Sequence, residues 1–280
     1  MIEPAQSGEA LWQDIETTRV EYGQAAIWWL GQSGYAIKTQ SKLLYFDLYL
    51  SEYLTEKYAG TDKPHIRMTR APLRGSELHA GDLVFVSHQH GDHFDPITLR
   101  ALCESVPRIR VILPRRCVDL GIQLGLSRMI PMRGEDAIRI GGVTVYAVSA
   151  AHPTIDHDPE LGHAFLGYVV DVDGVRFYHS GDTVVYPKLA EHLISLDPNW
   201  LFLPINGAVS PDTPPNMNID DAIALARAVG GQTPVIPMHY DMFTFNTADV
   251  RVFSERAARA GVPHHVLQCG ERFIIEAKKP

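Results

Sequence analysis

Six residues place three imidazoles and a carboxylate almost side by side: His88, His90, Asp92 and His93, with Gln89 and Gly91 between them. At an extended strand end, residues two apart project to the same face, so His88 and His90 can converge on one point. Gly91 lets the chain bend back, which allows Asp92 and His93 to address a second point close by. Such a set suits Zn2+ or another first-row ion. A chance polar loop is the weaker reading, because ionisable groups gathered at a buried strand end need a partner to stabilise them.

These side chains need rigid elements to position them. The run DLVFVS from Asp82 to Ser87 reads as the strand that delivers the cluster. Asp95 and Pro96 read as the N-cap and first residue of the helix that leaves it, with Ile97, Leu99, Ala101 and Leu102 as its apolar face. Short apolar or alternating runs bounded by Gly, Pro and Asp predict further strands at 26–30, 35–39, 42–47, 110–114, 143–149, 167–172, 175–180, 200–205 and 234–239. Asp173-Gly174 between two of them is a two-residue hairpin signal, because both turn positions need positive φ. Asn218 and Asp221 form a capping-box pattern before a helix whose stripe is Ile219, Ile223, Ala226 and Val229, stopped by Gly230 and Gly231. A third helix is predicted over 247–260. Strands first, then strands alternating with helices, imply two packed sheets with helices outside.

The chain has 280 residues, 45% of them hydrophobic, enough for one large globular domain spanning 1–280 with no repeat or linker. Twenty-five Lys and Arg against 33 Asp and Glu give a net charge of -8, which argues against gripping a nucleic-acid backbone as the main task. Cys103, Cys117 and Cys269 are odd in number and lack a Cys-x-x-Cys pair, so no disulfide framework is expected. The first residues show neither a basic nor an apolar signal region, and no run reaches the ~20 apolar residues of a membrane span. A soluble, cytoplasmic protein is expected.

The pattern His-x-His-x-Asp-His after a strand resembles the signature of the metallo-β-lactamase superfamily, and the family's later motifs have matches in order. These are His152 after the run 143–149, Asp182 in Tyr-His-Ser-Gly-Asp, and His239 in Pro-Met-His-Tyr. Asp47, after an early strand, matches the aspartate that supports the ligands from behind. The resemblance implies an α+β fold, a four-layer αββα sandwich. It also implies one metal site at His88, His90 and His152, another at Asp92, His93 and His239, and Asp182 bridging them. Aspartate at 182, not cysteine, sets the chain apart from thiolate-using β-lactamases. Histidine at 90, not glutamate, disfavours the redox branch. The segments 28–31, 114–120, 178–182 and 236–241 look most like the L-ascorbate-6-phosphate lactonases, whereas the stretch between Leu203 and Asn218 is more similar to general hydrolases of the superfamily.

The resemblance therefore implies a hydrolase holding one or two divalent transition metals, Zn or Mn, and acting on a small-molecule lactone of a sugar acid or sugar phosphate. Metal binding lowers the pKa of water from 15.7 to about 7, so no serine or cysteine nucleophile is required. With two ions, Asp92 and Asp182 are both ligands and Asp182 orients the nucleophile; with one, Asp92 is free to act as general base. A phosphodiesterase or nuclease on the same scaffold is the first competitor, and a non-catalytic metal-binding member the second. No membrane partner is expected, nucleic acid is disfavoured, and a homo-oligomer is left open. Lys57, Lys63, Arg67, Arg70 and Arg74, against Asp62 alone, could overhang the site and grip an anionic substrate, although a solvated basic loop explains the same residues. Asp47 and His179 are candidate partners for the outer nitrogens of ligand imidazoles, with a packed core histidine an equal reading for His179. Tyr240 reads first as a packing residue and second as an oxyanion donor. The loop after His152, with Asp156, His157, Asp158, Glu160 and His163, is a second candidate wall, a supplementary metal there being weaker than a surface loop. Arg115 and Arg116 could face a partner or an anion, with surface placement the first reading.

Overall fold

A computed structural model describes residues 1–207 and 216–278. Residues 208–215, part of the stretch likened to general hydrolases, lie outside the described residues. In the first sheet, β1 (Gln24–Gly31), β2 (Gly34–Lys38), β3 (Leu43–Phe46), β4 (Leu83–Phe85), β5 (Arg110–Pro114) and β6 (Met129–Met132) pair in chain order. The first three are antiparallel, and β3 to β6 run parallel. The second sheet begins with the antiparallel strands β7 (Ala137–Ile140), β8 (Val143–Ser149), β11 (Leu166–Val172) and β12 (Val175–His179). It continues with β13 (Trp200–Pro204) and β14 (Val235–Met238), both parallel to β12. A small hairpin, β9 (His157–Asp158) and β10 (Gly162–His163), stands apart, and β15 (Arg272–Glu276) closes the first sheet antiparallel to β1.

Period-two alternation explains why the sheets stack. In β1, Ala25, Ile27 and Trp29 join the core between the sheets, while Ala26, Trp28 and Leu30 join a second cluster on the outer face. That outer cluster takes in Leu11, Trp12 and Ile15 of α1 (Gly8–Thr17) and Leu99 and Leu102 of α3 (Pro96–Ser105). Between the sheets, Tyr35, Phe46 and Phe85 meet Phe202, Phe177 and Tyr168, with ring centroids 4.9, 5.7 and 5.3 Å apart. Burying each such ring is worth about 1.5–3 kcal/mol, which sets this layer above any surface ion pair as the source of cohesion. Leu201 and Leu203 alternate with Phe202; β13 packs against α6 (Ile219–Ala228), α6 packs on α7 (Val250–Arg259), and α5 (Leu189–Leu196) shares the same core through Leu189 and Leu193. The layers are helix, sheet, sheet, helix, as expected.

Several elements follow the sequence rules. Asp173 and Gly174 have φ of 48° and 84° between paired Val172 and Val175, a primed hairpin turn. The Asp173 carboxylate accepts from Thr39 Oγ1 (2.6 Å) and from the amide of Ser41 (2.7 Å), tying this tip to the loop between β2 and β3. Asn218 caps α6 through the expected capping box. The third helix is shorter than expected, because Asp249 caps it at Val250 rather than Thr247. No helix among the described residues is long and apolar enough to cross a membrane.

Candidate metal centre

Each candidate ligand follows the carboxyl end of a strand, and all lie along one edge of the sandwich. His88, His90, Asp92 and His93 follow β4 in the first sheet, whereas His152, Asp182 and His239 follow β8, β12 and β14 in the second. Asp47, after β3, and Ser87, after β4, stand behind the first-sheet ligands, and the Ser87 carbonyl accepts the amide of Leu166 in β11 of the second sheet (3.0 Å). The amide of Ser87 donates to Asp47 Oδ1 (2.7 Å), its hydroxyl to Asp47 Oδ2 (2.6 Å), and His93 Nδ1 lies 2.7 Å from the same Oδ2. An aspartate accepts and does not donate, so His93 carries its proton on Nδ1 and turns the Nε2 lone pair into the site. The Ser87 hydroxyl has given its proton to Asp47 and therefore accepts from His88 Nδ1 at 2.9 Å, which leaves His88 Nε2 as a lone pair as well. One buried carboxylate thus sets the tautomers of two imidazoles. Asp47 holds φ of 39°, a left-handed conformation that aspartate tolerates better than most residues.

The ligand loop closes on itself, with the amides of His93 and Phe94 donating to the His90 carbonyl at 2.9 and 2.7 Å. Gly91 is not at positive φ. A Cβ there would lie 2.7 Å from Leu54 and 2.9 Å from Tyr53, so what demands glycine is the close seating of α2 (Tyr53–Lys57) on the loop, not the bend. Gly181 meets both demands. Its φ is 57°, and a Cβ would lie 2.6 Å from Ser87 Cβ and 2.9 Å from the Leu166 carbonyl. The Gly181→Ala protein is expected to lose about 1–3 kcal/mol of stability through this overpacking and to bind metal more weakly as Asp182 is pushed out. Urea denaturation and metal titration check both; wild-type values in each would show that the contact is idle.

His88, His90 and His152 form one group whose ligand atoms all lie within 4.8 Å of one another; Asp92, His93 and His239 form another, and His88, His93 and Asp182 a third. Asp182 sits between the first two, its Oδ1 3.3 Å from His93 Nε2 and its Oδ2 3.4 Å from His239 Nε2 and 3.9 Å from His152 Nε2. His88 Nε2, His93 Nε2 and Asp182 Oδ1 are buried without a hydrogen-bond partner among the described residues. With His93 neutral, two acceptors, His93 Nε2 and Asp182 Oδ1, face each other across 3.3 Å, an arrangement that a proton or a metal ion between them makes favourable. The donor set fits divalent metal ions.

The titration directions carry the same message. Burial, with the neighbouring His93 and His90, holds His88 well below the usual histidine pKa, which keeps it a neutral donor. Burial also pulls His93 down, but Asp182, Asp47 and Asp92 outweigh it and raise the pKa well above the usual value. For Asp182 and Asp92 burial pushes upwards, and His93 and His239 overcome it, leaving both carboxyls below their ordinary value. A proton on His93 and a metal ion are alternative occupants of one negative field.

Gln32, absent from the sequence reading, belongs here. Fully buried at φ of 53°, it donates Nε2–H to Asp92 Oδ2 (2.7 Å), and the same nitrogen lies 3.1 Å from His239 Nε2. Its main-chain carbonyl accepts the His239 amide (2.9 Å) and the Trp29 indole (2.9 Å). The only local signal was the Gly31-Gln32-Ser33-Gly34 turn, one residue beyond the segment 28–31 singled out above.

Other candidates are redistributed. His179 does not touch a ligand imidazole. It contacts the Ser33 carbonyl through Nε2 (2.9 Å) and accepts the Gly181 amide at Nδ1 (3.3 Å), so it shapes the turn that carries Asp182. Tyr240 is buried against Trp29 and donates to the Leu267 carbonyl, which removes it as an oxyanion donor. The basic segment divides. Arg67 is buried and donates to the carbonyls of Thr69, Tyr49 and Ser51; Arg70 pairs with Glu3 and Arg74 with Glu77; Lys57 lines the cavity over the ligands. The expectation of a five-cation grip is corrected to one lysine at the cavity. Arg116 pairs with Asp156 of the loop after His152 (2.6 Å). His157 and His163 lie 4.6 Å apart between ring centroids, outside the groups able to hold an ion among the described residues. The cavity over the ligands measures about 400 Å³.

A family model described as the Beta-lactamase superfamily domain matches residues 59–240. A UPF0173 metal-dependent hydrolase of Thermus thermophilus is 28% identical over 208 residues, 74% of this chain and 86% of that protein. An Escherichia coli protein named "Probable L-ascorbate-6-phosphate lactonase UlaG" is 25% identical, with 95% of this chain and 85% of that protein covered. Among solved structures, an isothiocyanate hydrolase from Delia radicum gut bacteria superposes with a TM-score of 0.72 at 20% identity, over 90% of this chain and 100% of that one. A possible metal-dependent hydrolase from Veillonella parvula gives 0.73 at 17%, over 89% and 99%. These likenesses carry the fold, and the family match covers the strands that deliver His88, His152, Asp182 and His239: the chain belongs to the beta-lactamase superfamily and is a metal-dependent hydrolase of that fold.

Proposed function

We propose that this hydrolase opens lactones, and that His88, His90 and His152 hold one divalent ion, Zn or Mn, while Asp92, His93 and His239 hold a second, with Asp182 shared. The pair of facing acceptors, His93 Nε2 and Asp182 Oδ1, carries this reading. Ions held there would supply a nucleophile by lowering the pKa of water to about 7, and would polarise a carbonyl oxygen. The chain's own part is positional. Asp47 and Ser87 fix two imidazoles as lone-pair donors, and Gln32 holds the Asp92 carboxylate in place. Asp182, below its ordinary pKa and set between the two groups, accepts a hydrogen bond from an attacking water and aims it.

Lactones are favoured over phosphodiesters because Lys57 is the one lysine or arginine lining the cavity among the described residues, too little to track a nucleic-acid backbone. The 25% identity to the lactonase of Escherichia coli points the same way.

Protein purified without chelator is expected to contain one or two transition metals per chain and to hydrolyse lactones faster than aryl phosphodiesters or β-lactams. Removal of the metal with a chelator should abolish turnover, and Zn2+ or Mn2+ should restore it. Elemental analysis and a rate comparison across the three substrate classes check this. Metal-free protein with full activity would refute the site, and a preference for phosphodiesters would refute the substrate class.

A further inference from the structure

The floor of the cavity is ionic, but its far wall is not. Tyr58, His65, Phe243 and Phe245 stand together there. His65 stacks on Tyr58 with centroids 4.1 Å apart at 22°, meets Phe243 and Phe245 edge-on at 5.0 and 4.8 Å, and the two phenylalanines lie 5.8 Å apart at 10°. Such contacts are individually modest, yet together they make a rigid π surface in the same cavity as the ligands. The wall is built from two distant segments stitched by backbone. Arg67 bridges Phe243, the Met68 amide donates to the Met242 carbonyl (2.7 Å), and Thr69 Oγ1 donates to the Asp241 carbonyl (2.6 Å). His65 Nδ1 lies 2.9 Å from the Lys63 carbonyl, which fixes its ring plane. Burial lowers the His65 pKa from the histidine norm, so near neutrality the ring is an uncharged aromatic face. At the rim, Lys57 Nζ lies 5.6 and 5.4 Å from the ring centroids of Tyr53 and Tyr58.

A bare polyol phosphate would leave this wall without a partner and would meet a single lysine. We infer that the cavity recognises substrates carrying a flat aromatic or similarly apolar group against Tyr58 and Phe245, with one anionic substituent reaching Lys57 and the electrophilic carbonyl directed at the metal ligands. The inference rests on the hydrolase reading above and names the substrate class for it. A ring seated there is covered on one side by π faces and on the other by imidazoles, which favours planar over branched apolar groups.

The test uses binding and turnover in the metal-loaded protein. Benzenesulfonate, which carries both an aromatic ring and an anion, is expected to bind at least about tenfold tighter by calorimetry than methanesulfonate, which lacks the ring, or benzyl alcohol, which lacks the charge. Tyr58→Ala and Phe245→Ala should each weaken benzenesulfonate severalfold and leave methanesulfonate unchanged, whereas Lys57→Met should abolish the advantage of benzenesulfonate over benzyl alcohol. In turnover, the two wall variants should lower kcat/KM for dihydrocoumarin about tenfold while leaving δ-valerolactone within twofold of wild type. Equal losses on both lactones, or equal binding of both sulfonates, would overturn the aromatic subsite while leaving the hydrolase intact. Discriminating binding with no lactone turnover would instead overturn the lactonase reading and support the subsite.

Discussion

The Asp182→Asn protein is expected to fold as the wild type does and to turn over lactones at least about 10³-fold more slowly. Asparagine matches aspartate in size, and the position is fully enclosed, so the packing around Gly181 and Ser87 survives. The change removes the negative charge whose two oxygens face His93, His239 and His152 at 3.3, 3.4 and 3.9 Å. If that carboxylate is shared by two ions, its loss weakens both, and forfeiting about 4 kcal/mol of transition-state stabilisation corresponds to about 10³ in rate. Bound metal stabilises only the native state, so the rise in Tm that metal confers on the wild type should also shrink. Circular dichroism, elemental analysis and kcat/KM together decide the case. A variant that keeps two ions and full activity would remove Asp182 from the chemistry.

The second large effect is expected from Asp47→Asn, at a residue that touches no substrate. The present carboxylate accepts three bonds, from the Ser87 amide, the Ser87 hydroxyl and His93 Nδ1. A carboxamide offers one oxygen and one NH2; with the oxygen kept on the Ser87 amide, the NH2 stands where Oδ2 was and meets two donors, the Ser87 hydroxyl and His93 Nδ1–H. The rearrangement that relieves this puts the NH2 against His93 Nδ1 and moves the imidazole proton to Nε2, where it points into the site in place of a lone pair. Metal affinity is then expected to fall about 10- to 100-fold, in line with the usual effect of losing such an outer partner. Asn adopts left-handed backbone as readily as Asp, so φ of 39° remains tolerable and the fold should persist. Metal titration of the apo-protein, with the His93 tautomer read from imidazole nitrogen shifts, checks the mechanism. Asp47→Ala should in addition leave buried donors unpaired and destabilise the protein by about 3–5 kcal/mol. Unchanged affinity with an unchanged tautomer would show that Asp47 is only a structural acceptor.

What could be read from the sequence was local. Asp95-Pro96, Asn218 with Asp221, and Asp173-Gly174 each announce themselves within four residues, because caps and primed turns are short-range chemistry. The helix α5 had no such announcement. Its N-cap, Lys188, sits at φ of 74° with no side-chain bond to the first turn, so only tertiary packing of Leu189 and Leu193 holds its start. The edge strand β7 buries none of its residues fully and pairs on one side only, which blunts its alternation. Short α4 (Val118–Leu124), which buries only Gly121, was hidden for a similar reason. At the site, ordered motifs pointed to the seven candidate ligands and to Asp47. Gln32 and the aromatic wall were out of reach because they exist through long-range register. Gln32 meets His239 across 207 positions, and the bridge from Arg67 to Phe243 joins segments far apart in the chain. The basic segment misled for the opposite reason: charge is visible in sequence, but distant partners such as Glu3 and the Tyr49 and Ser51 carbonyls are not.

The candidate ligands come from both sheets, four following β4 and three following β8, β12 and β14. Ions held among them would lie on a seam, joining the two halves at the edge opposite the tie that Asp173 makes to Thr39 and Ser41. Parting the sheets and releasing the ions then become a single event, so free metal concentration should govern how often the sandwich breathes. Amide exchange in the aromatic layer between the sheets would slow as the metal is raised, even at residues far from any ligand. In such a molecule the cofactor is also a clasp, and scarcity of metal would be felt first as loosened architecture and only then as lost turnover.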